Sequence, residues 1–282
     1  MNINVMRHTL RLEVDMGDSE RGQVSANAAK IYEKYYLPAY FEEWPPRIIE
    51  AARIQRGHHV VDVACGTGVL ALAILERVGP EGFTVGVDNN EGMLNVAIGK
   101  AQEIEWKHAA AEALPFDDDS FDSVVSQFGL MYFENKQGAL KEMMRVLRPG
   151  GNLAVAVWDK LENCPGLAAE NQVWQRLFGD EAADNVPYNI GDKQVLQMLF
   201  SGADISGAKI QTYEGTARFP SIETWVYAGV KGWAQDDMID DKQYELLLKE
   251  AQKDLSGFVT TDGTVSFSTL AHIVTTSKPD VS

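Results

Sequence analysis

The chain has 282 residues, 45% hydrophobic and 23% charged, which is enough material for one compact domain with an insertion. Its formal net charge of -16 repels polyanions, because nucleic-acid binding depends on Lys and Arg that neutralise phosphates, so we expect no nucleic-acid partner. The apolar runs are too short for a secretory signal or a membrane span, which predicts a cytoplasmic protein without a membrane partner. Cys65 and Cys164 have neither disulfide nor metal-ligand spacing, and no metal is expected.

The spacing of apolar residues predicts helices and strands in chain order. Aromatic residues at helical spacing over 26–41 predict one or two helices, broken near Pro38 and halted at Pro45 and Pro46, and a further helix is expected at 47–53. Strands and helices then alternate, which is typical of a parallel sheet covered by helices on both faces. The predicted strands are 59–64, 83–87, 104–108, 121–126 and 152–158, and the helices between them are 69–78, 91–103 and 136–147.

The pattern changes after Trp158. Helical patterns without a strong strand come first and predict an insertion over the sheet edge. Strand patterns at 209–219 and 265–279 follow, separated by helices at 222–233 and 240–255, and two such terminal strands can form an antiparallel edge. We therefore predict a single domain over 1–282 in four parts: a helical lid at 1–50, a cofactor-binding core at 51–158, a helical insertion at 159–203, and terminal strands with intervening helices at 204–282.

The segment VVDVACGTGVLALAI carries the strongest local signal for a ligand. A strand delivers Asp62 and is followed by Gly66 and Gly68 at the start of a helix, where the backbone can turn sharply and approach a ligand with its free N–H groups. Asp88 lies on the next strand, about 20 residues further on, as a partner for ribose hydroxyls requires. These residues predict a nucleoside-bearing ligand, but they suit a nicotinamide dinucleotide equally well.

Four later segments narrow the choice. In order along the chain, DVACGTG, VGVDNNEGML, AAAEALPFDDDSFDSVVSQFGLMYF and MMRVLRPGGNLAVAVW resemble the successive motifs of class I methyltransferases of the UbiE-like, small-molecule kind, and the terminal AHIVTTSKP resembles their last strand. The resemblance implies a Rossmann-like α/β fold: a seven-stranded, mostly parallel sheet with an antiparallel edge strand. It also implies S-adenosylmethionine as cofactor and methyl transfer to O, N or S of a small metabolite.

Carried over to the matching positions, the resemblance implies the residues that hold the cofactor. Asp62 would lie near the methionine amino end, and Asp88 would accept hydrogen bonds from both ribose hydroxyls. In many relatives an Asp caps the adenine where this chain has Ala110, so Glu112 or the backbone at Ala111 would supply that contact. The remaining predicted cofactor-binding residues surround the methionine, ribose and adenine portions: Ala64, Cys65, Gly66, Gly68, Asn89, Met93, Gln127 and Tyr36.

Two residues are candidates for a direct role in catalysis. Tyr36, one of a set of tyrosines in the N-terminal helical segment, would contact the sulfonium, since electron-rich rings attract cations. His272, on the last strand, would act as a general base through its tunable pKa. Both also have a structural interpretation, because tyrosines at helical spacing usually pack and a strand histidine is usually hydrogen-bonded within the fold.

Two other functions stay compatible with the residues. A nicotinamide-dependent oxidoreductase would require a second mononucleotide-binding half, which is not evident after Trp158. A regulatory protein that binds S-adenosylmethionine without turnover would have the same motifs. In each case the small-molecule acceptor or partner is expected between the sheet edge, the N-terminal helices and the insertion, with Trp158 and Tyr188 as walls. The number of subunits stays open, a homodimer included.

Overall fold

The computed structural model describes residues 25–183, 185–232 and 239–280. The predicted lid is therefore described only from Ser25. The first residues, on which the prediction of no secretory signal depends, and the predicted helix end at Trp233 lie outside these ranges. The helices are α1 (Ala26–Ile31), α2 (Leu37–Tyr40), α3 (Pro45–Ala51), α4 (Val69–Val78), α5 (Glu91–Ile98), α6 (Lys136–Val146), α7 (Pro165–Phe178), α8 (Lys193–Gly202), α9 (Ile222–Gly232) and α10 (Asp241–Asp254). The strands are β1 (His59–Val63), β2 (Phe83–Asp88), β3 (Glu105–His108), β4 (Phe121–Gln127), β5 (Leu147–Trp158), β6 (Lys209–Phe219) and β7 (Val265–Ser277).

The seven strands form one sheet in the order β3-β2-β1-β4-β5-β7-β6. Strands β1 to β5 pair in parallel, whereas β7 pairs antiparallel with both β5 and β6. This arrangement confirms the predicted Rossmann-like sheet with its antiparallel edge. The chain builds the sheet outward in one direction from β1 and in the other from β4, and ligands of open α/β sheets bind beyond the carboxyl ends of the strands at such a switch point.

The central strands are rich in Val, Ala and Leu because helices cover them on both sides. Val60, Val61 and Val63 of β1 and residues 153–157 of β5 have no more than traces of exposed surface. Two predicted boundaries differ by more than two residues. Helix α5 ends at Ile98, five residues before the predicted end, with Gly99 as its cap, and β5 begins at Leu147 because the chain becomes extended directly after α6.

The N-terminal helical segment is continuous but changes its winding before Pro38. Between α1 and α2, residues Tyr32–Tyr36 form a π-helical turn in which the Leu37 N–H donates to the Tyr32 carbonyl, five residues back. Proline has no N–H and its ring collides with the carbonyl four residues earlier, so the turn ahead of Pro38 widens. The break predicted near this proline is therefore a change of helical type.

Elements outside the core cover the carboxyl edge of the sheet. Helix α1 packs against α5 and α9, and α7 packs against β7 and α10. Pro45 and Pro46 begin α3, because the first turn of a helix needs no N–H donors. Within the described ranges, the structure has no helix that is both long and apolar enough to cross a bilayer.

Candidate active site

A cavity of about 350 Å³ lies at the switch point of the sheet, a size in the usual range for small-molecule sites. We call the residues that it takes from the core the core wall: Asp62, Ala64, Cys65, Gly66, Thr67, Val69, Leu70, Asp88, Asn89, Met93, Ala110, Glu112, Gln127, Phe128, Gly129, Tyr132, Phe133, Glu134 and Trp158. We call the others the cap wall: Tyr32, Tyr36, Tyr40, Phe41, Leu167, Glu170, Asn171, Trp174, Pro187, Tyr188 and Gly229.

The turn after β1 has left-handed backbone at three residues: Ala64 (φ 59°), Gly66 (φ 54°) and Gly68 (φ 89°). The two glycines have different surroundings. Gly66 lines the cavity, and no atom lies within 4 Å of the place where its Cβ would be. A Cβ on Gly68 would be 2.6 Å from Cη2 of Trp106 on β3. Gly66 thus leaves room for a ligand, whereas Gly68 permits the turn to pack against a neighbouring strand.

Asp88 joins the loops that follow β1 and β2. Its Oδ2 accepts a hydrogen bond from the Gly66 N–H at 2.7 Å, and its Oδ1 accepts one from the Asn90 N–H at 2.8 Å. Burial raises the pKa of this carboxyl, and these N–H donors only partly oppose that effect. Because a carboxylate oxygen can accept more than one hydrogen bond, Asp88 retains acceptor capacity toward the cavity that it lines.

Asp62 is the least satisfied carboxyl of the core wall. It is 1% exposed, and neither of its oxygens has a hydrogen-bond partner among the described residues. Burial raises its pKa well above the usual range and the charge of Asp88 adds to the shift, with the Ala71 N–H in weak opposition. A buried, unpaired carboxyl is costly, and here it lines a cavity. The site therefore suits a ligand with a cationic group, such as the amino end of S-adenosylmethionine.

Three tyrosines of the N-terminal segment reach the cavity. Tyr32, Tyr36 and Tyr40 line it, and the ring centroids of Tyr36 and Tyr40 are 4.8 Å apart. Burial raises the pKa of Tyr32 well above its ordinary value, so its hydroxyl stays protonated. Tyr35 instead packs edge-on against Tyr227 at 5.8 Å. Tyr35 and Tyr36 lie on different sides of the same helical segment, so Tyr35 packs while Tyr36 lines the cavity.

Most of the predicted site residues share this cavity, and three do not line it. Gly68 packs against Trp106, and Ala111 is buried beside its neighbours in the cavity wall. The ring of His272 is 1% exposed, with Nδ1 3.0 Å from Thr212 Oγ1 and Nε2 3.0 Å from the Gly191 carbonyl. Its contacts tie the insertion to the terminal strands, and no catalytic role is proposed for it.

Three of the predicted cofactor-binding residues, Glu112, Gln127 and Cys65, lie in the core wall. Glu112 Oε1 accepts a hydrogen bond from the Asn135 N–H at 3.1 Å, which fixes this side chain in the core wall. Gln127 donates to the Phe41 carbonyl at 3.3 Å, so it also links the two walls. Burial raises the pKa of Cys65 well above its usual value, which disfavours a thiolate nucleophile.

Sequence reasoning missed most of the cap wall. Glu170 and Trp174 lie on α7, and Gly229 lies on α9. Helical periodicity shows that these helices have an apolar side but not that the same side faces a ligand, so no signal in the residues themselves singled them out. In the described part of the chain, no group of three or more His, Cys, Asp or Glu side chains is placed to hold a metal ion.

Comparison with known proteins agrees with the fold. The ubiE/COQ5 methyltransferase family matches residues 39–183. The demethylmenaquinone methyltransferase of Listeria welshimeri is 38% identical over 141 residues, which cover 48% of this chain and 56% of that protein. The corresponding protein of Staphylococcus carnosus is 30% identical over 212 residues, 68% of this chain and 88% of that one. The chain thus spans little more than half the length of the Listeria relative.

Among solved structures, phosphoethanolamine N-methyltransferase 2 of Haemonchus contortus, in complex with S-adenosyl-L-methionine, superposes with a TM-score of 0.61 at 14% identity, over 93% of this chain and 59% of that one. Fold and cavity together define the class of S-adenosylmethionine-dependent methyltransferases with a Rossmann-like sheet. The chain belongs to the ubiE/COQ5 methyltransferase family. These findings confirm the predicted family and the predicted fold, and they support neither an oxidoreductase nor a regulatory protein without turnover.

Proposed function

We propose that the protein transfers a methyl group from S-adenosylmethionine to a small-molecule acceptor bound in the same cavity. The observation that carries the proposal is Asp62, a buried carboxyl that lines the cavity beside Gly66 and Asp88 and has no hydrogen-bond partner among the described residues. The net charge of -16 argues against a nucleic-acid acceptor. Demethylmenaquinone, which the relatives' names give as their substrate, is one small molecule to test.

Each wall has a distinct task in this proposal. When bound, S-adenosylmethionine supplies an activated methyl group on a cationic sulfur. Asp62 pairs with the cationic amino end, and Asp88 accepts hydrogen bonds from the ribose hydroxyls while it keeps the Gly66 turn in place. Fixed partners of this kind orient a reacting group, and such positioning supplies much of the acceleration in an in-line transfer. No covalent intermediate with the protein is required.

The acceptor is placed between the core wall and the cap wall. The stacked rings of Phe128 and Trp158, 3.9 Å apart, form the core side of that space, and Tyr36, Tyr40 and Tyr188 form the cap side. Aromatic rings exclude water and attract a sulfonium cation without competing as nucleophiles. We further propose that the segment before α3 acts as a lid over the bound cofactor, because it supplies three cavity tyrosines from outside the core.

Calorimetric titration with S-adenosylhomocysteine, S-adenosylmethionine and NAD tests the proposal. We expect the first two to bind and NAD not to bind. Asp88→Ala should weaken binding of S-adenosylhomocysteine about tenfold or more, since it removes charge-assisted hydrogen bonds. Asp117→Ala, at an exposed position outside the cavity, is the control and should bind as the wild type does.

Asp88→Ala also removes the acceptors of the Gly66 and Asn90 N–H groups, so circular dichroism should accompany the titration. Asp88→Asn retains one acceptor oxygen and is the second variant. Affinity for NAD together with no response to either sulfur ligand would refute the proposed function. Methyl transfer itself is measured by incubating the enzyme and labelled cofactor with a metabolite extract and with demethylmenaquinone.

A further inference from the structure

One carboxylate of the cavity comes from the insertion after the core. Glu170 comes from α7 in the insertion, and its side chain lines the cavity. The indole N–H of Trp225, a fully buried residue of α9, donates to Glu170 Oε2 at 2.9 Å. The other oxygen lies beside Gly229, where an added Cβ would be 3.3 Å away. Glu170 is therefore oriented by a rigid donor and lies against a residue that has no side chain.

The surroundings of Glu170 are aromatic. Tyr40, Trp158, Trp174 and Tyr188 line the same cavity. The Tyr40 hydroxyl is in a side chain that is only 4% exposed, and it has no hydrogen-bond partner among the described residues. A buried hydroxyl of this kind usually finds a partner, so a polar ligand group is expected on this side of the cavity.

The charges of the cavity have one sign. Its lining contains five carboxyl side chains and, within the described residues, no Lys, Arg or His: Asp62, Asp88, Glu112, Glu134 and Glu170. An acceptor with a phosphate or a carboxylate would lack a partner and would be repelled, whereas a cation is attracted both by carboxylates and by ring faces. The cofactor accounts for Asp62 and Asp88, but not for Glu170.

We infer that Glu170 selects the acceptor by accepting a hydrogen bond from a protonated amine carried by an aromatic molecule. Glu170 is a specificity residue in this inference, since the methylated atom lies elsewhere on the acceptor or is reached after the amine has lost its proton. The inference rests on the proposed function, because it names the substrate class of that same cavity.

Three ring compounds that differ in charge test the inference: tyramine, tyrosol and 4-hydroxyphenylacetate. Their binding to the full chain is titrated by calorimetry near pH 7, with and without S-adenosylhomocysteine. Tyramine should bind about tenfold more tightly than tyrosol, and the anion more weakly than both, since hydrogen bonds to a charged group are the stronger ones. Equal binding of tyramine and tyrosol would overturn the inference.

Glu170→Gln is the decisive variant because glutamine retains an oxygen acceptor for Trp225. Its tyramine affinity should fall about tenfold, to that of tyrosol, while tyrosol binding changes less than about twofold. Glu134→Gln, which neutralises an exposed carboxyl at the cavity, is the matched control. An equal loss of tyramine affinity in both variants would show that the total negative charge of the cavity, and not Glu170 itself, attracts the amine. A matching loss of S-adenosylhomocysteine affinity in Glu170→Gln would assign this residue to the cofactor instead.

The two proposals fail separately in this design. Absence of S-adenosylhomocysteine binding counts against the proposed function. The relative affinities of the three ring compounds are measured in the protein without that ligand as well, so they test the inference independently. A charge preference that is lost in Glu170→Gln supports the inference in either case.

Discussion

The core wall and the cap wall of the cavity are built by different means. The core wall consists of turns and carboxyls at the ends of neighbouring strands, and its Asp88 and Gly66 are joined by a hydrogen bond of 2.7 Å. The cap wall consists of side chains from the N-terminal helices, α7 and α9, which are far apart in the chain. The first arrangement depends on backbone geometry, and the second depends on how separate helices pack.

This difference indicates which parts of the site tolerate change. A left-handed glycine or a buried carboxyl has few substitutes, because either the backbone or an unpaired charge would have to adjust. An aromatic side chain on a packed helix can be replaced by another apolar one at lower cost. The core wall therefore suits a constant cofactor, and the cap wall suits an acceptor that differs from one protein to another.

The largest effect is expected at the turn of the core wall. Gly68→Ala adds a Cβ 2.6 Å from the Trp106 ring at a φ of 89°, and it should lower the free energy of unfolding by about 3 kcal/mol, from left-handed strain together with overpacking. Gly57→Ala is the control, since φ is 78° there and no atom lies within 4 Å. It should cost only the strain, about 1–2 kcal/mol. Urea unfolding measures both, and equal losses would show that Trp106 moves aside freely.

A smaller, pH-dependent effect is expected at Asp62. A carboxyl whose folded-state pKa is raised contributes stability below its unfolded-state pKa and loses that contribution as pH rises through the folded-state value. Asp62→Asn removes this loss, so the free energy of unfolding of the ligand-free variant should rise relative to that of the wild type as pH increases above about 4, by about 1–3 kcal/mol.

The same variant should bind S-adenosylhomocysteine more weakly, because the cationic amino end loses its partner. Unfolding curves at several pH values and a titration at neutral pH measure the two quantities. A stability difference that does not vary with pH would mean that Asp62 is ionised at little cost in the ligand-free protein.

The smallest effect is expected in the cap wall. If the N-terminal segment is a lid, amide exchange over residues 26–44 should slow several-fold when S-adenosylhomocysteine binds, while exchange in β5 stays as it was. Mass spectrometry of peptides from both regions measures this. Unchanged exchange over 26–44 would show that the N-terminal segment does not act as a lid and that the two walls do not differ in mobility.

The order of strands and helices from 59 to 158 could be predicted from the residues alone. Buried parallel strands have a continuous apolar composition, and the glycines of the turn after β1 mark two of its three left-handed residues. The same local signals placed Asp62 and Asp88 at the ends of adjacent strands, where they line one cavity. These features depend on short stretches of chain, which is why the amino-acid sequence determined them.

Tertiary structure decided what the sequence left open. Tyr35 and Tyr36 lie on different sides of one helical segment, and the packing of that segment against α9 and the core decides that the Tyr36 side lines the cavity. Gly68 is needed for contact with Trp106, about 40 residues away in the chain. Glu170 lies on a helix whose periodicity shows an apolar side but not what faces it. Such roles depend on which surfaces meet after folding, and a single sequence holds no local signal for that.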